Sequence, residues 1–240
     1  MVNFSWRNFD SYLFDIDGTL LNCRDGVHYN SFHKALRQVW NCDLLIDTVP
    51  VHGNTDIGIL RAATEAAGVS KEEFEMGLPQ ALATMQAEVE RNAASLRPEL
   101  CPSVATLIEE LHSAGKLLGV TSGNVESIGW AKLRTASIAH YFSFGSFSAW
   151  VGPAGGPQFN ESRIAIFGHG LDEARRRLGP QAQVCFLGDT PADIAAAQSL
   201  KVPIIALATG IYRLEVLREH GPDLCLPCCG PLLGTWQQTL

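Results

Sequence analysis

Short apolar runs bounded by turn residues recur at Tyr12 to Ile16, Leu117 to Thr121, Phe142 to Phe147, Gln183 to Gly188 and Pro203 to Leu207, with a weaker one at Asp223 to Leu226. Most gaps between them carry apolar residues at helical spacing, as in PSVATLIEELHSAG (Pro102 to Gly115) and NESRIAIFGHGLDEARRRLG (Asn160 to Gly179). Continuous apolar runs predict strands buried on both faces, and their alternation with amphipathic helices predicts a parallel sheet. The expected core is a doubly wound, Rossmann-like α/β fold.

One interval breaks the alternation. From about Cys23 to Arg97 no strand-like run occurs, yet NSFHKALRQVW, TDIGILRAATEAAG and SKEEFEMGLPQALATMQAEVERNAASL all show helical periodicity. Ser70 followed by Glu73 forms a capping box for the third, in which Pro79 is expected to break or kink the helix. The pattern predicts an all-helical cap over residues 23–97, inserted into an α/β core made of 1–22 and 98–240. There are no repeats, and GPAGGPQ at Gly152 to Gln158 is the loosest stretch.

Composition narrows the partners. The 240 residues are 46% apolar and 18% charged, as in an ordinary globular protein, and are enough for one large domain or a domain with an insert. A net charge of −7 offers no basic field for a nucleic acid. The N-terminal residues lack the pattern of a signal peptide, and no run approaches the ~20 apolar residues of a membrane span. Neither nucleic acid nor membrane is expected as a partner. Seven irregularly spaced cysteines suit reduced thiols in a cytoplasm. Among them, CLPCC at Cys225 to Cys229 lacks the second pair a tetrahedral zinc site needs, so incidental packing is the preferred reading over metal or redox use.

In an open parallel sheet, ligands bind beyond the carboxyl ends of the strands. Here the first strand delivers Asp15 and Asp17, the second Thr121, Ser122 and Gly123, and the fourth Asp189 with Asp193 in GDTPAD. Two unit charges ~4 Å apart repel by about 4 kcal/mol at an effective dielectric near 20, and an anionic substrate adds to this. A hard divalent cation with oxygen ligands resolves the conflict, and magnesium suits a few carboxylates plus a phosphate. Each piece alone has a plainer reading: Asp-x-Asp as a turn, Thr121 and Ser122 as helix caps, GDTPAD as a helix start with Pro191 in the first turn. Their joint order is what carries the chemistry.

DIDGTL, then VTSGN, then GDTPAD, with a helical insert after the first motif, resembles the haloacid dehalogenase-like superfamily, in particular its phosphoglycolate phosphatase-like members with an inserted helical cap. The likeness covers nearly the whole chain, including LRPELCPSVATLIEEL and GNTDIGIL. It implies that Asp15 is a nucleophile forming an aspartyl-phosphate. Asp17 would protonate the leaving oxygen and then activate water. Magnesium would be held by Asp15, the backbone carbonyl of Asp17 and Asp189, with Asp193 as a further ligand or as support. Gly18 would allow a sharp turn that brings backbone amides to the phosphoryl group, and Thr121 would bind that group with help from the Ser122 amide.

The family's usual lysine before the last acidic motif has no counterpart, because no lysine lies between Lys132 and Lys201. Arg163 is the nearest basic residue at a comparable place, and Lys132 is the fallback. Gly53, Asn54, Thr55 and Asp56 are expected to form a polar turn in which Thr55 and Asp56 either face the substrate or cap a helix. His28 and His33 either reach the cleft or pack. A magnesium-dependent phosphatase acting on a small phosphorylated metabolite, such as phosphoglycolate or a sugar phosphate, is the leading reading. A phosphomutase uses the same aspartates. A dehalogenase would lack Asp17, and a phosphonate-cleaving enzyme would want a desolvated cap lysine, where only Lys34 and Lys71 are available. A non-catalytic binding protein of the same fold is the reading from a different class.

Overall fold

The computed structural model describes residues 5–151 and 157–234. A six-stranded parallel sheet is formed by β1 (Ser11–Phe14), β4 (Leu117–Thr121), β5 (Phe144–Ser146), β8 (Val184–Gly188), β9 (Ile204–Leu207) and β10 (Leu224–Leu226). Its order is β10-β9-β8-β1-β4-β5. The six runs read from the sequence are these six strands.

Alternate residues of the strands enter two apolar layers. Tyr12, Phe14, Leu118, Val120, Cys185 and Leu187 pack with α4 (Val104–Ser113) and with Leu133 of α5 (Glu126–Thr135). On the opposite face, Leu13, Phe186, Ile204 and Ala206 pack with α6 (Arg163–Leu178), α7 (Pro191–Leu200) and α8 (Leu214–Glu219). Double burial explains why the strands read as unbroken apolar runs instead of alternating ones.

Two short antiparallel strands, β2 (Leu21–Cys23) and β3 (Pro98–Leu100), carry the chain out of the core and back. Between them lie α1 (Val27–Trp40), α2 (Asp56–Ala66) and α3 (Lys71–Arg91), the helical cap. The cap has its own apolar cluster, including Phe32, Leu36, Leu60, Phe74 and Met85, which extends onto Val125, Ile128 and Ala149 of the core. The capping box of Ser70 and Glu73 is present at the start of α3. Pro79, however, neither breaks nor ends that helix, which runs unbroken to Arg91. Pro79 sits on the exposed face, where water can bond the carbonyl that a proline cannot serve.

A second hairpin, β6 (Ala149–Val151) with β7 (Pro157–Phe159), brackets the glycine-rich stretch, of which residues 152–156 lie outside the described residues. The seven cysteines are free, and Cys229 is buried in the core against the α4 face, where it packs as a small apolar group. Among the described residues, no helix is long and apolar enough to cross a membrane.

Candidate active site

The chain runs from β1 through the cap to β4 and β5, then crosses by α6 to β8 on the other side of β1. The connections diverge around β1, and this reversal of strand order opens a crevice beyond its carboxyl end. Asp15 follows β1 directly, Thr121 ends β4, and Asp189 follows β8. Gly18 sits at φ +86°, and a β-carbon there would lie 2.2 Å from Asp189 Oδ2, so only glycine allows the turn after Asp17 to pass this carboxylate.

Asp15, Asp189 and Asp193 are buried, and each offers a carboxylate oxygen such that all three atoms lie within 4.8 Å of one another. Asp15 Oδ1 is buried with no hydrogen-bond partner among the described residues. Burial, with lesser contributions from its acidic neighbours, raises the Asp15 pKa to about 7 despite Arg163, and burial beside Asp15 and Asp193 raises that of Asp189 to about 9. An all-oxygen donor set with an orphaned carboxylate oxygen fits a hard divalent cation. Asp193 is committed elsewhere: Oδ1 accepts from Arg163 Nε at 2.7 Å, and Oδ2 accepts from the Thr190 amide and hydroxyl at 3.0 and 2.8 Å. It therefore fits the role of support better than that of a principal ligand. Thr19 donates to Asp189 Oδ1 at 3.0 Å, which turns the carboxylate toward the crevice.

Arg163, at the first position of α6, donates through Nη2 to Asp15 Oδ2 at 3.0 Å and to Asp193 Oδ1 at 2.6 Å. The two carboxylates outweigh the burial that would favour its neutral form, so the guanidinium stays charged. Lys132 is not an idle alternative to it. Its side chain is 2% exposed, and Nζ donates to both oxygens of Asp17, at 2.8 and 2.7 Å, and to Asn124 Oδ1 at 2.9 Å. Burial pulls the Asp17 pKa up, but the Lys132 ammonium prevails and holds the carboxyl below the ordinary range. The two basic residues thus divide the two aspartates between them.

His28 joins this group. Its Nδ1 lies 3.1 Å from Lys132 Nζ and its Nε2 lies 3.1 Å from Asp56 Oδ2. An ammonium only donates, so Nδ1 accepts and Nε2 carries the proton toward Asp56. Asp56 Oδ2 also accepts from the Val125 amide at 2.8 Å, and the Asp56 amide donates to the Gly123 carbonyl at 2.8 Å. Asp56 is therefore a clasp between cap and core through its amide and Oδ2, and it also lines the cavity between them. Thr55 is buried and takes the helix-cap role: its hydroxyl accepts from the Gly58 amide at 3.0 Å. His33 packs on the Tyr29 ring, away from the cavity.

A cavity of about 350 Å³ lies between cap and core, lined on the core side by Asp15, Asp17, Ser122, Gly123, Arg163 and Asp189. Thr121, expected to bind the phosphoryl group, is fully buried outside this lining, with its methyl against Gly170 of α6 and no partner for its hydroxyl among the described residues. The Ser122 amide is spent on the Ser146 carbonyl at 2.9 Å, which corrects its expected role at the phosphoryl group; the Ser122 side chain does line the cavity.

A parallel sheet with a helical cap and buried carboxylates beyond β1 and β8 defines a hydrolase class. The haloacid dehalogenase-like hydrolase family model matches residues 9–201, and the chain belongs to that family. It is an enzyme of this kind. Among solved structures, a predicted phosphoglycolate phosphatase from Haemophilus somnus is 23% identical with a TM-score of 0.65, over 94% of this chain and 96% of that one. A predicted phosphatase from Clostridium acetobutylicum is 16% identical with a TM-score of 0.65, over 93% and 96%. A protein from Thermotoga maritima assigned as a β-phosphoglucomutase is 16% identical with a TM-score of 0.56, over 96% and 100%. These likenesses are of fold. No curated protein sequence matches the chain.

Proposed function

We propose that the protein is a magnesium-dependent phosphatase that hydrolyses a small phosphomonoester through an aspartyl-phosphate on Asp15. The observation that carries this reading is the buried set of Asp15, Asp189 and Asp193 with Arg163 bonded to Asp15. Magnesium would be held by Asp15, Asp189 and the Asp17 backbone carbonyl, with Asp193 behind them, and would supply charge neutralisation for the phosphoryl oxygens.

In this reading Asp15 is the nucleophile, and Arg163, bonded to Asp15 Oδ2 at 3.0 Å, presents a fixed positive charge beside it. In the first half, an oxygen–phosphorus bond forms from Asp15 as the bond to the leaving alcohol breaks, and that alcohol takes a proton from Asp17. In the second half, Asp17 removes a proton from water, which attacks phosphorus, releases phosphate and frees Asp15. With Lys132 against it, Asp17 rests in the ionised form suited to the second half. For the first half Asp17 must enter protonated; the Lys132 ammonium then steadies the carboxylate left when that proton passes to the alcohol, and the proton taken from water restores the acid form. The Ser122 hydroxyl helps to orient the phosphoryl group. The cap, clasped by Asp56 to Val125 and Gly123, limits access to small substrates and keeps out bulk water.

The reading is tested by phosphate release from 4-nitrophenyl phosphate with magnesium and with EDTA. Release that requires magnesium is expected; undiminished release in EDTA overturns it.

A further inference from the structure

We infer that the leaving group of the substrate carries no anionic group: the site takes monophosphate esters of an uncharged or cationic alcohol with apolar carbon. This rests on the reading of the core side as a phosphoryl site and concerns what the cap side accepts.

The cavity holds just two residues of permanent positive charge, Lys132 and Arg163. Both are committed to carboxylates, Lys132 to Asp17 and Arg163 to Asp15 and Asp193. Four aspartates set against these two cations and one divalent ion sum to zero before a phosphoryl group adds its own negative charge, so no cation is left over for a second anion. Every lysine and arginine of the cap lies outside the cavity lining. Most have partners of their own: Lys34 and Arg91 pair with Glu88, Arg37 with Asp43, Arg61 with Glu161 and Lys71 with Glu75.

The remaining walls are apolar, negative or neutral polar, and the neutral groups are engaged: the Asn54 amide donates to the Pro50 carbonyl at 3.0 Å and the Thr190 hydroxyl to Asp193 Oδ2 at 2.8 Å. Tyr29, Phe32, Ile46, Val51 and Ile59 line the cap side. Asp47 lines it too, exposed, with the Tyr29 hydroxyl donating to Oδ2 at 2.9 Å. His28 presents its Nδ1 lone pair to Lys132 and its Nε2 proton to Asp56, so it has nothing left for an anion. His52 is the remaining imidazole, and it is exposed to water that screens it. A carboxylate or second phosphate here would sit beside Asp47 and apolar side chains without a cationic partner.

Two expectations change as a result. Phosphoglycolate, with its carboxylate beside the ester, is a poor fit. A phosphomutase must hold a bisphosphate across its site, and the cap side has no group to receive the second phosphate, which favours water as the acceptor from the phosphoenzyme.

The test compares binding and turnover on the full chain with magnesium. Calorimetry with benzylphosphonate and with phosphonoacetate reads the cap side without any chemistry. Benzylphosphonate is expected to bind more tightly by on the order of a hundredfold. Asp47→Lys, which removes a carboxylate from the cap wall and puts a cation in its place, is expected to shrink that gap severalfold, the exposed position limiting the effect. Phenyl phosphate and phosphoglycolate are then compared in kcat/KM, with the same order of preference expected. Equal or tighter binding of phosphonoacetate overturns the inference, as does an unchanged gap in Asp47→Lys. A binding preference without turnover of any ester would instead leave the inference standing and overturn the phosphatase reading.

Discussion

Lys132 Nζ lies 2.8 and 2.7 Å from the two carboxylate oxygens of Asp17, although 115 positions separate the residues in sequence. A side chain 2% exposed and bound to the proposed acid–base group does more than fill space. Lys132→Met keeps the length and removes the charge. General acid catalysis contributes roughly 10²–10⁴-fold, and it matters most for poor leaving groups. The variant is therefore expected to lose about 10²-fold or more in kcat/KM on an alkyl phosphate and much less on 4-nitrophenyl phosphate, whose phenolate leaves unaided. Equal losses on both substrates in steady-state assays would assign Lys132 a structural role.

Arg163 bridges Asp15 and Asp193 through Nε and Nη2, a geometry that only a fork of donors satisfies. Arg163→Ala leaves buried carboxylates uncompensated, at a cost of about 3–5 kcal/mol in metal-free stability. Arg163→Lys keeps one charge but reaches one carboxylate well, so an intermediate loss is expected. Urea denaturation in EDTA measures both, and Arg163→Lys matching the wild type would contradict the bridging role.

The carboxylate cluster makes stability depend on pH in an unusual direction. Without metal, burial raises the pKa of Asp15 to about 7 and that of Asp189 to about 9, both above the unfolded values. The folded state then holds protons that the unfolded chain has already lost, so stability falls as pH rises from about 4 through these values. Bound magnesium reverses the balance by favouring the ionised forms, and its binding at pH 7 releases protons. Thermal melts across pH 5 to 9 with EDTA and with magnesium should diverge as pH rises. Parallel melting curves would argue against a cation at this cluster.

Gly210 lies close behind the proposed metal ligand. A β-carbon there would stand 1.8 Å from Asp189 Oδ2, so Gly210→Ala must turn the carboxylate aside. Magnesium affinity is expected to fall about 10–100-fold while metal-free stability changes little. Wild-type affinity by calorimetry would show that Asp189 does not need that orientation.

Much of this was legible in sequence for physical reasons. Strands buried on both faces must be continuously apolar, so all six strands of the sheet were visible, as were the cap helices, whose apolar spacing is periodic. The residues at strand ends, Asp15, Asp17 and Asp189, followed from topology. Pro79 does not break its helix: a proline rule ignores which face meets water. The partners of Lys132 were hidden because its contacts come from β1, from Asn124 and from His28 of the cap, and no local pattern marks such a meeting. A lysine inside the otherwise apolar face of α5 was the faint signal available. Thr55 and Asp56 lay in the right loop, but a sequence cannot say that the Thr55 hydroxyl is bonded to Gly58 or that Asp56 Oδ2 is shared between His28 and Val125.

The central claim is that Asp15 carries the phosphoryl group, and rapid acid quench of the turning-over enzyme followed by peptide mapping tests it most directly. With magnesium and phenyl phosphate, a phosphoryl adduct is expected on the peptide containing Asp15 in the wild type, and no adduct or turnover in Asp15→Asn. An adduct on another residue, or turnover that survives Asp15→Asn, would contradict the account.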